Sequence, residues 1–189
     1  MHAISYASDA IEIIGYKLYY PEAFYPVLLS QYAGEVSEFN YREVMDCKNL
    51  EELKKICKTY AVGQNQASII KFKTRLAWLI WEAKLRGFEL KEATLFSKPN
   101  EYSLNEENGK EILMPLTSLS GVAELTAIKI YETIKEKPLE SYEELLSRKD
   151  SLNKTIFNKK ALEGLGIYQL EPEAIARFNL KLNKHYGRV

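Results

Sequence analysis

The residues of this 189-residue chain best suited to chemistry lie in one short stretch, 119–127, reading LSGVAELTA. Gly121 can hold a tight turn, and Leu125, Ile128 and Ile130 recur on or near one side of a helix that follows it. A helix that opens directly behind a turn leaves its first backbone amides pointing outward and carries a partial positive charge there. Such an end holds a phosphate without reading base identity. Lysines that could assist are Lys129 on that helix and Lys154, Lys159 and Lys160 downstream. The candidate backbone-binding set is therefore Ser120, Gly121, Val122, Ala123, Lys129, Lys154, Lys159 and Lys160. A second reading of the same stretch is a purely structural turn.

Other chemistries find little material. Cys47 and Cys57 are too far apart for a C-x-x-C site, have no histidine near them, and read as two reduced thiols in a helical packing layer. His2 and His185 stand at opposite ends of the chain, and the carboxylates form no dense acidic motif. The expectation is no catalytic residue, no metal site and no cofactor within these residues.

Helices must position the turn, and apolar periodicity supplies them. Ile4, Ala7, Ile11, Ile14 and Leu18 place a stripe on one side of a first helix, which should pack onto a neighbour. Pro21 opens a second helix with Phe24, Leu28 and Leu29 on its buried side and Gly34 as its stop. Tyr16, Tyr19, Tyr20, Tyr25 and Tyr32 could stack on bases, but half-buried core packing is the favoured reading. Asn49 and Glu52 form a capping box before Leu50, Leu53, Ile56 and Cys57, with Lys54, Lys55 and Lys58 on a solvated side. A loop at 62–66 precedes the longest periodic run, from Ile69 to Leu85, stopped by Gly87 and carrying Trp78 and Trp81 as core anchors. Strands at 101–104 and 110–114 flank Asn108 and Gly109, a strong turn signal. Ser141 and Glu144 make another capping box, Asn153 can cap a helix carrying Ile156, Phe157, Ala161 and Leu162, and Pro172 opens a last helix with Ile175, Phe178 and Leu182 on its buried side.

Composition bounds the partners. With 46% hydrophobic residues the chain can bury a sizeable core, while 26 basic and 26 acidic residues cancel, so no overall bias announces nucleic acid or membrane. From position 148 onward, however, nine basic residues face four acidic ones, a local surplus that the neutral total conceals. No stretch has the makings of a signal peptide or a membrane span, and a cytoplasmic protein is expected.

Several segments, in order, resemble one family. Residues 2–6, HAISY, and 15–24, GYKLYYPEAF, resemble the H-A-x-x-Y and A-Y-x-K-x-x-Y-P-x-x-F segment in the fingers of bacterial C-family replicative polymerases, the DNA polymerase III alpha subunits. Residues 86–88 (RGF), 93–96 (ATLF) and 112–116 (ILMPL) resemble the connector that follows. Residues 119–127 resemble the helix-hairpin-helix form L-P-G-V-G-x-x-T-A, with Ser120 for proline, Ala123 for the second glycine and Leu125 where lysine is common. Residues 152–156, LNKTI, followed by Gly164, resemble the L-S-K-T-L pattern closing the duplex-binding region, most like the PolC type. Residues 177–182, RFNLKL, lack the glutamine and terminal phenylalanine of the family's sliding-clamp tail, which favours helix packing over clamp contact.

The resemblance implies a mainly α fold with a helical fingers-like region at 1–92, a β-hairpin connector at 93–115, and a helix-hairpin-helix duplex-binding-like region with a C-terminal helix at 116–189. It implies that His2 and Tyr6 face the incoming nucleotide. It also implies that the magnesium ions of polymerisation belong to a palm that lies outside these residues, so that the chain alone is inactive. The function expected is non-sequence-specific binding to the backbone of double-stranded or primer-template DNA, beside a palm-containing chain. Alternatives are a stand-alone DNA-binding or polymerase-associating adaptor or decoy, or a protein-interaction module.

Overall fold

A computed structural model of the protein describes residues 2–33, 41–62, 67–105, 107–119, 121–165 and 172–187. Helices dominate, with one small sheet, and the chain divides into two compact units. Unit 1 holds residues 1–91 and 102–112; unit 2 holds 92–101 and 113–189.

Unit 1 is built around α5 (Ala67–Leu85), against which α2 (Pro21–Ala33), α3 (Tyr41–Asp46), α4 (Leu50–Thr59) and β1 (Glu89–Lys91) pack. Leu76, Ala77, Ile80, Trp81 and Ala83 are its buried side. Leu29 of α2, Val44 of α3 and Leu53 of α4 are likewise fully buried, each contributing about 1.5–3 kcal/mol by leaving water. The helix ends as its sequence dictates: Gly87 takes φ +82°, its amide donates to Lys84 O, and the Phe88 amide reaches back to Ala83 O at 3.0 Å while the Phe88 ring is buried. Lys84 extends from α5 to donate to the carbonyls of Met45 and Cys47, satisfying the end of α3. Burial raises the Cys47 and Cys57 thiols, and both are free. Asn49 caps α4 by accepting from the Glu52 amide at 3.0 Å, and the Glu52 carboxylate accepts from the Lys48 amide at 2.8 Å.

The helix α1 (His2–Tyr19) forms as its periodicity predicts, and it packs on α2. Its stripe is not covered: Ile11, Ile14 and Leu18 are 70%, 53% and 54% exposed. Core packing holds for Tyr25, fully buried against Phe88, whereas Tyr16, Tyr19 and Tyr20 are exposed. Of the two tryptophans, Trp81 is buried and Trp78 is exposed. Gly34 lies outside the described residues.

The sheet has the order β1-β3-β2, from β1, β2 (Ser103–Asn105) and β3 (Asn108–Leu113). The hairpin between β2 and β3 exists, but Asn108 and Gly109 open β3 rather than forming its turn. Asn105 bends the chain there, its Oδ1 accepting from the Glu107 amide at 3.1 Å and its amide donating to the Glu111 carboxylate at 2.7 Å. Gly109 is not in the left-handed region and opens β3 instead. The β1 strand, three residues after α5, was not legible in the sequence; it is too short to show a period.

Unit 2 surrounds one core of Leu95, Leu116, Val122, Ile130, Ile134, Leu145, Phe157, Leu162 and Leu182. Its elements are a 3-10 turn (Leu116–Ser118), α6 (Glu124–Glu136), α7 (Tyr142–Ser147), α8 (Lys159–Gly164) and α9 (Pro172–His185). Leu182 is fully buried, with Ile175 and Phe178 packed against the core. Ser141 caps α7 through the Glu144 amide at 3.0 Å. Asn153 does not cap α8. It sits at φ 61° in a tight turn, and Asn158 is the cap, accepting from the Ala161 amide at 2.8 Å.

Candidate functional site

The turn before α6 is set by its neighbours. The Leu116 and Thr117 amides donate to Lys98 O and Pro99 O, fixing the 3-10 turn, and the Val122 amide closes onto Leu119 O at 3.1 Å. Gly121 takes φ +77°, where a side chain is disfavoured. Val122 points into the core, so both its side chain and its amide are already used. Ala123 is the residue before α6, at φ −76° and ψ 162°, with no side chain capping the helix. The first helical hydrogen bond runs from Ala127 N to Ala123 O, which leaves the amides of Glu124, Leu125 and Thr126 facing outward. Because Ala123 has ordinary extended backbone, glycine is not required there.

Two features of that helix start oppose an anion. Glu124 brings a carboxylate into the first turn, held by the Asn100 amide at 2.7 Å, and Leu125 is 74% exposed without any charge. Ser120 lies outside the described residues.

The lysines divide by role. Lys129 pairs with Asp150 Oδ2 at 2.5 Å, so it is not a free helper. Asp150 Oδ1 in turn accepts from the Leu152 and Lys154 amides, both at 2.9 Å, while the Asp150 amide donates to Lys154 O. The Lys129 hydrogen bond, with those amides, holds the Asp150 carboxyl down at about 2. Lys129 therefore positions Lys154, whose side chain is exposed, by way of one carboxylate. Lys159 and Lys160 are exposed in the first turn of α8. The 119–122 turn and α8 share the same core, and a Cβ placed on Gly164 would meet Leu119 Cδ2 at 3.0 Å.

Arg148 counts toward the basic surplus of the sequence, yet its side chain is buried. It grips the Glu144 carboxylate from Nε and Nη2 at 2.9–3.1 Å and donates to the carbonyls of Thr133, Lys137 and Pro138, closing the end of α6. Burial pushes the Glu144 carboxyl up, but hydrogen bonds from Arg148 and Lys137 outweigh it and hold it below its ordinary range. Sequence reasoning missed Asp150 as the organiser of the loop. Its signal is an Asp three residues before an Asn able to adopt the left-handed conformation.

In unit 1, the His2 side chain lies outside the described part, and Tyr6 is 72% exposed on α1. Among the described residues no three His, Cys, Asp or Glu side chains are placed to share a metal ion, and no helix is long and apolar enough to cross a membrane.

No protein-family profile matches the chain. Individual proteins do. It is similar to the DNA polymerase III PolC-type of Mycoplasmopsis pulmonis, 28% identical over 179 residues, covering 91% of this chain and 12% of that polymerase. To the PolC-type enzyme of Caldanaerobacter subterraneus it is 31% identical over 168 residues, 88% of this chain and 11% of the relative. To that of Thermotoga petrophila it is 27% identical over 178 residues, 91% and 12% respectively. The chain thus spans about 12% of the length of the curated relatives it matches. By sequence, nearly all of it corresponds to one region of a PolC-type DNA polymerase III.

Proposed function

We infer that the chain serves as the rear-fingers and duplex-binding region of a C-family polymerase, and that unit 2 holds the sugar-phosphate backbone of primer-template DNA without reading its sequence. The carrying observation is the left-handed Gly121 turn opening onto an α6 whose first amides have no side-chain cap, on the same core as the loop and helix that present Lys154, Lys159 and Lys160. Amides and ammonium groups of this kind position a duplex. Gly121, Ala123 and α6 supply the amides; Asp150 and Lys129 orient the loop. Primer extension, with its magnesium ions, is assigned to a palm-containing chain, and His2 and Tyr6 would then face the nucleotide.

Duplex binding measured by fluorescence anisotropy across a salt series tests this. Affinity should fall steeply with salt and drop further in Lys154→Glu and Lys159→Glu. The same chain, given magnesium and nucleotides alone, should not extend a primer; extension would sink the palm assignment. Absence of duplex binding at low salt would instead support a protein-interaction module. One observation favours that second reading, the exposed apolar Leu125 and Leu152 on the lysine-bearing unit.

A further inference from the structure

The exposed apolar surface is concentrated in unit 1, and most of it lies on α1. Ile11, Ile14 and Leu18 follow one another at intervals of three and four, the spacing with which a helix fills a groove. The charged side chains between positions 3 and 16 are Asp9 and Glu12, both exposed and neither in an ion pair among the described residues. The chain binds this helix near its C-terminal end, through Lys17 to Glu82 at 2.5 Å and through Arg86 to Lys17 O at 3.4 Å.

The same unit carries a groove of about 690 Å³ between α2, α4 and α5. Leu28, Tyr32, Leu50, Trp78 and Leu85 make it apolar, and Arg75 lines it. Arg75 has no ion pair among the described residues, whereas the groove's Glu82 is already held by Lys17. The groove therefore offers apolar surface with an unspent positive charge. The α1 helix offers an apolar stripe with two unspent negative ones.

We propose that the α1–α5 face is a self-association surface: α1 of one copy seats in the Arg75-lined groove of a second copy, and the reverse contact forms at the same time. The charges select this occupant. An acidic helix repels nucleic-acid phosphate and anionic lipid, and the groove's arginine attracts such a helix. Reciprocity follows because every copy carries both halves, so a two-fold dimer makes each contact twice and closes. An 18-residue helix, about 27 Å long, is enough to cross the groove on each side. The proposal concerns unit 1 and does not depend on DNA binding by unit 2.

Sedimentation of the whole chain over a concentration series, without DNA, tests it. A two-chain mass is expected at high concentration. Ile14→Asp and Leu85→Asp, both at exposed positions, should each shift the mass to one chain while helix content by circular dichroism stays unchanged. Charge exchange gives the sharper result. Arg75→Glu alone and Asp9→Lys/Glu12→Lys alone should each be monomeric, because each sets like charges against each other in both contacts. Mixed together they should pair, since both contacts then join opposite charges. A chain that stays monomeric at all concentrations, a dimer indifferent to Ile14→Asp and Leu85→Asp, or a failure of the mixed variants to pair overturns the proposal. So does a monomer whose α1 is captured only by a palm-containing chain.

Discussion

The two units solve the problem of an exposed surface in opposite ways. Unit 1 turns Lys84 inward onto the Met45 and Cys47 carbonyls and leaves Ile11, Ile14 and Leu18 in water. Unit 2 buries most of its apolar side chains, Leu125, Leu152 and Leu180 excepted, and keeps Lys154, Lys159 and Lys160 outside, while Arg148 and Asp150 act inward as braces for loops. A chain of zero net charge can thus carry one region rich in exposed apolar side chains and another that presents lysines. Formal charge alone conveys neither, because a buried brace and a surface cation count the same.

The contrast is broken most forcefully at Arg148. Arg148→Met removes the guanidinium that joins Glu144 to the carbonyls of Thr133, Lys137 and Pro138, leaving Lys137 as the remaining cation on Glu144, and should cost about 3–5 kcal/mol in urea unfolding; a loss below about 1 kcal/mol would mean that the arginine is no brace. Acid should undo the same braces. Glu144 and Asp150 both have carboxyl groups held below their unfolded values, so the stability they give is complete above those values and is lost as pH falls. For Asp150 that window runs down from its ordinary range to about 2. An acid titration followed by tyrosine fluorescence should move its midpoint upward in Asp150→Asn relative to a Lys110→Gln control. Gly121→Ala meets open space but a φ of +77°, so it should destabilise the turn by roughly 1–2 kcal/mol and weaken duplex binding with it. The smallest effect is expected in unit 1. Gly15 lies within α1 with nothing near its missing Cβ, and Gly15→Ala should raise helix stability by about 0.5–1 kcal/mol, read as increased helix content on mild heating.

Features written in neighbouring residues were the legible ones. Asn49 with Glu52, Ser141 with Glu144, and Gly87 with Phe88 each need only a few positions and a hydrogen bond inside them. The buried side of α9 was legible for the same reason, its period lying within one helix. Features that depend on distant partners were not. Nothing in the pattern of α1 says that its stripe meets no neighbour, and nothing in Lys129 or Arg148 says that a carboxylate 21 or 4 residues away takes up the charge. Asparagines near one another in sequence also blurred the turn and the cap. Asn158 caps α8 because its side chain meets the Ala161 amide, while Asn105 and Asn108 each accept from the amide two residues on, so residue type alone does not rank them. Of the candidate site, the glycine and the helix start could be read. The division of lysines into positioned and positioning could not.

The close approach of Leu119 to Gly164 carries an evolutionary consequence. With 3.0 Å between a Cβ at 164 and Leu119 Cδ2, any larger residue at 164 pushes on the turn that precedes α6. Shortening the side chain at 119 relieves that pressure. In a randomised library selected for a folded unit 2, the two positions should therefore vary as a pair, and Leu119→Ala should emerge as a second-site suppressor of Gly164→Ala.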